Sequence, residues 1–152
     1  MAIIQSQYGT TLLPAPIPVA QEILSVKTKV NLTAAQVALG NVITSVILPA
    51  DCVPVAYTIN AGKLDSGAMP AIAFNFGVLN AAKTALDITL QAGSLAAQAG
   101  GLVLHNGSKA SYDTLDGVTS TDKDRMLATI ITVAAATAQA GFIEVELFYK
   151  AV

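Results

Sequence analysis

The residues best suited to catalysis or metal binding are few and scattered along this chain. His105 is the only histidine, so a catalytic triad or a histidine-containing metal site would have to use it. It precedes Asn106-Gly107, which is a turn signal, and we interpret it as an exposed loop residue. Cys52 is the only cysteine, which excludes an internal disulfide. We interpret Cys52 as a small buried hydrophobic residue.

The carboxylates offer little more. Calcium needs several oxygen ligands from one constrained loop, and the only acidic cluster in the chain resembles such a loop faintly. We interpret the members of this cluster as solvated loop carboxylates, and calcium binding is the alternative. They are Asp113, Asp116, Asp122 and Asp124. Glu144 and Glu146 share a strand face that looks solvated, unlike the facing pair of a glycosidase. We therefore predict no catalytic residues, no cofactor and no metal, and a β-sandwich hydrolase is a minor alternative.

Composition excludes several partners. Charged residues make up 12% of the chain, hydrophobic ones 53%, and the net charge of −2 comes without runs of either sign. Nucleic-acid surfaces need clustered Lys and Arg, so we predict no nucleic-acid partner. The uncharged segment 126–142 is interpreted as a buried strand and a turn, and no membrane partner or signal peptide is predicted. So few charges suggest that part of the surface is covered by a partner.

Period-two alternation dominates the middle of the chain. Inward positions recur every second residue in 53–60 and 71–79, and include Tyr57, Phe74 and Phe76. Aromatic residues contribute most to a core, so we predict that these two segments pair and form the centre of the core.

Further alternating segments extend this pattern along the chain. We predict strands at 22–32, 41–48, 85–91, 125–133 and 142–150, and a short strand or a link at 102–104. Helical turns are predicted within 94–101, and loops at 63–70 and 105–123. About seven to nine short strands without a helical period predict an all-β fold, an antiparallel β-sandwich or jelly-roll-like domain, over residues 22–152.

Residues 1–21 are predicted to form an extended N-terminal arm, because alternating prolines fix φ and remove hydrogen-bond donors. The arm carries no charged residue before Glu22, and its apolar side chains are suited to burial against another surface. Two readings remain open: the arm docks on a partner, or it folds back onto its own domain. The candidate partner-binding residues are Ile3, Ile4, Tyr8, Leu12, Leu13, Pro14, Pro16, Ile17 and Pro18.

The order of segments resembles a known family. The proline-bearing arm is followed by Val53–Asn60, by Asp65-Ser66-Gly67, and by the stretches 74–87 and 92–101. Late in the chain come Arg125-Met-Leu-Ala-Thr-Ile and the Ala-rich 134–141 before a final strand. Over roughly residues 50–149 this texture is similar to that of the capsid decoration, or cement, proteins of tailed bacteriophages.

The resemblance implies a non-enzymatic structural protein on the exterior of the virion, made in the host cytoplasm. Such a protein binds the major capsid protein, stabilises contacts between its subunits, and assembles with itself as a homotrimer or another small oligomer. The alternative is a carbohydrate- or host-surface-binding β-sandwich, lectin-like or at a fibre tip. That alternative would need an exposed aromatic platform or a calcium site, and the chain contains no Trp.

Overall fold

The structure is a computed structural model that describes residues 1–7, 16–17, 22–106 and 118–152, with the backbone alone for residues 105 and 106. In these residues nine strands form two sheets. Sheet A has the order β1-β3-β8-β5-β6 and sheet B the order β2-β9-β4-β7. The strands are β1 (Ile3–Ile4), β2 (Ile23–Leu32), β3 (Val42–Leu48), β4 (Cys52–Ala61), β5 (Ala73–Leu79), β6 (Leu86–Ser94), β7 (Gly101–Asn106), β8 (Arg125–Val133) and β9 (Gly141–Ala151).

The predicted all-β sandwich is confirmed, and most of the strands lie where alternation placed them. In β9 the inward side chains are almost wholly buried, while the intervening ones are half-buried. The predicted helical turns correspond to one short helix, α1 (Ala96–Ala99), and a 3-10 turn (Ala34–Gln36) precedes β3. A jelly-roll arrangement stays a prediction.

The core lies between the two sheets, and the strands at its centre are not paired as predicted. Tyr57 of β4 and Phe76 of β5 are fully buried, with ring centroids 5.0 Å apart. Their strands do not pair: β4 hydrogen-bonds to β7 and β9, whereas β5 hydrogen-bonds to β6 and β8. The prediction of a paired 53–60 and 71–79 was wrong, because the two strands face each other across the sandwich.

Two predicted loops also need correction. The backbone of His105 belongs to β7, which continues to Asn106, so the loop predicted at 105–123 begins later. Residues 107–117 lie outside the described residues. The loop predicted at 63–70 was expected to lie on the surface, as loops of this composition usually do, but Leu64 and Asp65 within it are completely buried.

The strand registers place the connections at two ends of the sandwich. One end carries the segments 33–41, 62–72, 95–100 and 134–140, each of which crosses between the sheets and is fully described. We call this the uncharged end. The opposite end carries 49–51, 80–85 and the described segment 118–124, and we call it the charged end.

The first residues of the chain belong to the sandwich. Ile3 and Ile4 pair in parallel with the first residues of β3, and Ile4 is buried in the core. Ser6 is also buried; its N–H donates to Thr44 Oγ1 at 3.0 Å, and its hydroxyl donates to the carbonyl of Ser45. The division into an arm of residues 1–21 and a domain of residues 22–152 stays a prediction.

No helix in the described residues is long and apolar enough to cross a membrane.

Candidate functional site

The surface of the uncharged end is distinctive for its chemistry. The four described segments that build it contain two charged residues, Lys63 and Asp65, and only Lys63 is exposed. Alanine is frequent in all four, so most of this surface consists of small side chains. It is a surface with little charge, on a domain whose other end carries several exposed charged residues.

Asp65 lies beneath that surface and holds two of its segments together. Its carboxylate is fully buried and accepts backbone N–H groups at 2.8–3.3 Å. The donors are Gly67, Ala71, Ile72, Ala136 and Thr137. A buried charge is costly unless it is fully hydrogen-bonded. Asp65 meets this condition through donors from both 62–72 and 134–140.

The same contacts shift the ionisation of Asp65. Burial alone would raise the pKa of the carboxyl group. The backbone N–H groups, above all that of Thr137 and then those of Ala71, Gly67 and Ala136, outweigh this effect and hold the pKa well below its usual range. The side chain is therefore an anion at neutral pH, and it acts as a structural link.

Further hydrogen bonds join the segments of the uncharged end. Leu64 N–H donates to the carbonyl of Ala97 at 2.8 Å, which ties 62–72 to α1. Gln139 N–H donates to the carbonyl of Leu64 at 3.0 Å, and its side-chain amide donates to the carbonyl of Lys63 at 2.8 Å. Gly40 N–H donates to the carbonyl of Ile131 at 2.8 Å. Each segment is thus held to a neighbouring segment or strand.

Large apolar side chains project from this braced surface. Met69 is 86% exposed, Leu39 60% and Leu95 58%, and they come from three different segments. Val133, at the end of β8, is also exposed. The sequence pattern does not identify this set, because its members are isolated residues in loops. The signal that the sequence does contain is the near absence of charged residues from the four connecting segments.

The charged end is built differently. A cleft of about 540 Å³ opens there, and its lining includes Leu79, Lys83, Ile88, Asp122, Arg125 and Met126. Arg125 Nη2 donates to the carbonyl of Cys52 at 2.6 Å, and Nη1 donates to the carbonyl of Thr119. Burial lowers the pKa of Arg125, an effect that the nearby Cys52 opposes. The guanidinium fastens β4 and 118–124 to the start of β8.

The residues considered for chemistry do not assemble into a site within the described part of the chain. Cys52 is buried in the core, as predicted, and burial together with Asp51 raises the pKa of its thiol. No group of three His, Cys, Asp or Glu residues capable of holding a metal is found among the described residues. Asp113 and Asp116 lie outside them. Glu144 faces solvent on sheet B and pairs with Lys27 at 3.1 Å.

The candidate arm residues have separate outcomes. Ile3 and Ile4 form β1, as described above. The carbonyl of Pro16 accepts a hydrogen bond of 2.5 Å from the Tyr149 hydroxyl, and Ile17 beside it is 76% exposed. Tyr8, Leu12, Leu13, Pro14 and Pro18 lie outside the described residues. The contacts of residues 1–6 and of Pro16 are those of a segment that folds back onto its own domain.

A second apolar feature lies on sheet B. β7 is the outermost strand of that sheet among the described residues, and Leu102 and Leu104 are both more than half exposed on it. An edge strand normally carries charged residues or proline that discourage pairing with another chain. The described backbone of β7 (Gly101–Asn106) includes neither.

The fold defines the structural class of the protein, an all-β sandwich whose two sheets are linked by crossover loops. Two solved structures that share this fold come from phage capsids. A chain of the capsid of Ralstonia phage GP4 superposes with a TM-score of 0.83 and 24% sequence identity, covering 99% of both chains. A chain of the cyanophage Pam1 capsid asymmetric unit has a TM-score of 0.65 and 21% identity, covering 92% of this chain and 93% of that one.

These similarities show a shared fold over nearly the whole chain. No protein-family model matches the sequence, and comparison with curated proteins gives no match.

Proposed function

We propose that this chain is a non-enzymatic structural protein of a phage particle. In this proposal it binds the outer surface of the head and stabilises contacts between major capsid subunits. The observation that carries the proposal is the superposition on a chain of a phage capsid across 99% of both chains. The family resemblance read from residues 50–149 supports the same conclusion from the sequence.

The chemistry of the described residues agrees with such a role. Two titratable groups with shifted pKa values are engaged in structural contacts: Asp65 links two loops, and Arg125 holds two backbone carbonyls. A neutral, braced surface at one end suits protein contact more than turnover. Many copies on a symmetric shell gain avidity from weak individual contacts, so a small interface per copy is sufficient.

Co-sedimentation tests this function. Shells assembled from the major capsid protein of the same virus are mixed with the purified chain, centrifuged, and then heated. We expect the chain to pellet with the shells in a fixed ratio and to raise the temperature at which they disassemble. A chain that stays in the supernatant and instead binds immobilised glycans would contradict the proposal and favour the carbohydrate-binding alternative.

The N-terminal arm is proposed as a second partner contact, made with a neighbouring subunit of the particle. Among the described arm residues, Ile17 supports this best because it is exposed, whereas Ile4 is buried in the core of its own domain. Replacing Ile17 with Glu should weaken sedimentation without lowering the melting temperature. Deleting the whole arm is a poorer test, because it also removes β1.

Self-association, with a homotrimer as the proposed form, is the remaining part of the proposal. The exposed leucines on the open edge of β7 support contact between copies, since edge strands pair readily with other chains. Native mass spectrometry should show an oligomer that Leu104→Lys disrupts. A monomeric wild-type chain at the concentration used for shell binding would contradict this part alone.

A further inference from the structure

We infer that the uncharged end is the surface through which the chain binds its protein partner, a neutral apolar surface on the capsid shell. The inference rests on the proposed function and adds the orientation: the uncharged end faces the shell and the charged end faces solvent. Three independent features of the end support it, and they concern charge, shape and rigidity.

Charge defines the chemistry of the partner. Lys63 is the only exposed charged residue in the four fully described segments of this end. A single cation cannot provide the cluster that nucleic acids or anionic membranes require. A strongly charged protein surface would lose its hydration here without gaining ion pairs. The surface that fits is therefore uncharged and apolar.

Shape provides the anchors. Interfaces concentrate their binding energy in a few large side chains surrounded by contacts that exclude water. Met69, Leu39 and Leu95 are side chains of this kind: they are large, apolar and exposed, and they project from an end that otherwise consists mainly of alanine, glycine and small polar residues. Methionine is also flexible enough to fill an irregular pocket.

Rigidity lowers the cost of binding. Ordering a loop on association costs free energy that the interface must offset. Here the carboxylate of Asp65 and the backbone hydrogen bonds of Leu64 already fix the segments 62–72, 95–100 and 134–140, and the hydrogen bond from Gly40 to Ile131 holds 33–41. The end is a preformed surface built on crossover connections, so little order has to be gained when it docks.

The opposite end explains the orientation. Its exposed residues include Asp51, Lys83, Asp122, Lys123 and Asp124. Burying this mixture against a shell would desolvate many charges, each of which would need a matched partner. Facing solvent, the same charges keep the decorated particle hydrated.

Charge insertion tests the inference on the intact chain. Met69→Glu and Leu39→Glu place a carboxylate on the uncharged end, and Ala82→Glu is the matched control on an exposed residue of the charged end. Circular dichroism and melting curves verify that all three variants fold. We expect affinity for major-capsid shells to fall roughly tenfold or more for the first two variants and to stay at the wild-type level for Ala82→Glu.

The outcomes separate this inference from the function on which it rests. If the wild-type chain and all three variants bind equally well, the surface is wrong and the function stands. If the wild-type chain does not bind shells, the function is overturned and the proposed partner with it. If Met69→Glu abolishes an oligomer of the free chain while shell binding persists, the end contacts a second copy and the inferred partner is wrong.

Discussion

Each end of the sandwich is held together by one ionised side chain. One of these side chains is an anion that accepts hydrogen bonds from the backbone, and the other is a cation that donates them. At the uncharged end the buried carboxylate of Asp65 collects backbone N–H groups. At the charged end the guanidinium of Arg125 donates to the backbone carbonyls of Cys52 and Thr119. The number of charged residues exposed at an end therefore does not indicate whether an ionised side chain orders its loops. The end that looks neutral depends on a hidden anion.

Removing Asp65 should have the largest effect. Asp65→Ala leaves several buried N–H groups without an acceptor, and such groups cost more than the bond itself was worth. We expect the melting temperature to fall by roughly 10 °C. Hydrogen exchange should accelerate first at 62–72 and 134–140. Exchange that accelerates equally at the charged end would contradict the independence of the two ends.

Acid should reproduce part of that effect. The folded-state pKa of Asp65 lies below its ordinary value of 3.8, so the unfolded chain binds the proton more readily. The stabilisation by the carboxylate is fully present above that ordinary value and is lost as pH falls towards the folded pKa. The gap in melting temperature between wild type and Asp65→Asn should therefore narrow from pH 7 to pH 2. A constant gap would mean that ionisation of Asp65 is not the source of the stabilisation.

Arg125→Met tests the charged end with a change of similar shape. Loss of two hydrogen bonds from a charged donor should cost about 2 kcal/mol of unfolding free energy. Denaturant titration measures this cost. Because Asp65 is untouched, the uncharged end should keep its slow hydrogen exchange up to the global transition. Faster exchange at 134–140 in this variant would show that the two ends are coupled.

Thr129→Val changes the centre of the sandwich and so affects neither end selectively. Thr129 is fully buried on β8, and its hydroxyl has no hydrogen-bond partner among the described residues. Replacing it with a methyl group of similar shape should raise the unfolding free energy by about 1 kcal/mol. A loss of stability would indicate that the hydroxyl is satisfied in solution.

Met69→Ser should have the smallest effect on folding. The side chain is 86% exposed, and substitutions at such positions stay within about 0.5 kcal/mol. Together with the binding tests, this variant separates what the uncharged end does for stability from what it does for contact. A marked loss of stability would show that Met69 packs against its own domain.

The sequence predicted strands well and their partners poorly. Alternation in 53–60 correctly identified the buried face, including Tyr57 and Ile59. It could not say that β4 and β5 lie in different sheets, because alternation specifies which side of a strand is buried and carries no information about its neighbours. The connection 62–72 is long enough either for a hairpin or for a crossing between sheets.

Asp65 shows the limit for functional surfaces. Asp-Ser-Gly resembles an ordinary exposed turn, and two of the five donors to its carboxylate lie within six residues. The donors that fix the end, Ala136 and Thr137, lie 71 and 72 residues further along the chain. No local pattern reports such a contact. The exposed apolar anchors were missed for the same reason, since the strand topology alone places these three isolated loop residues at the same end of the sandwich.

That sequence separation also determines when the uncharged end can form. Bringing residue 65 to residues 136 and 137 closes a long loop of chain, and contacts of this kind form late because their entropy must be overcome before they contribute. During synthesis the carboxylate must wait until both β8 and the following segment have left the ribosome. The surface inferred to bind the partner is therefore completed only after β8 and the segment 134–140 have folded. A chain in which Asp65 has not reached Ala136 and Thr137 would lack the ordered surface, so a partner that requires this surface would bind folded chains only.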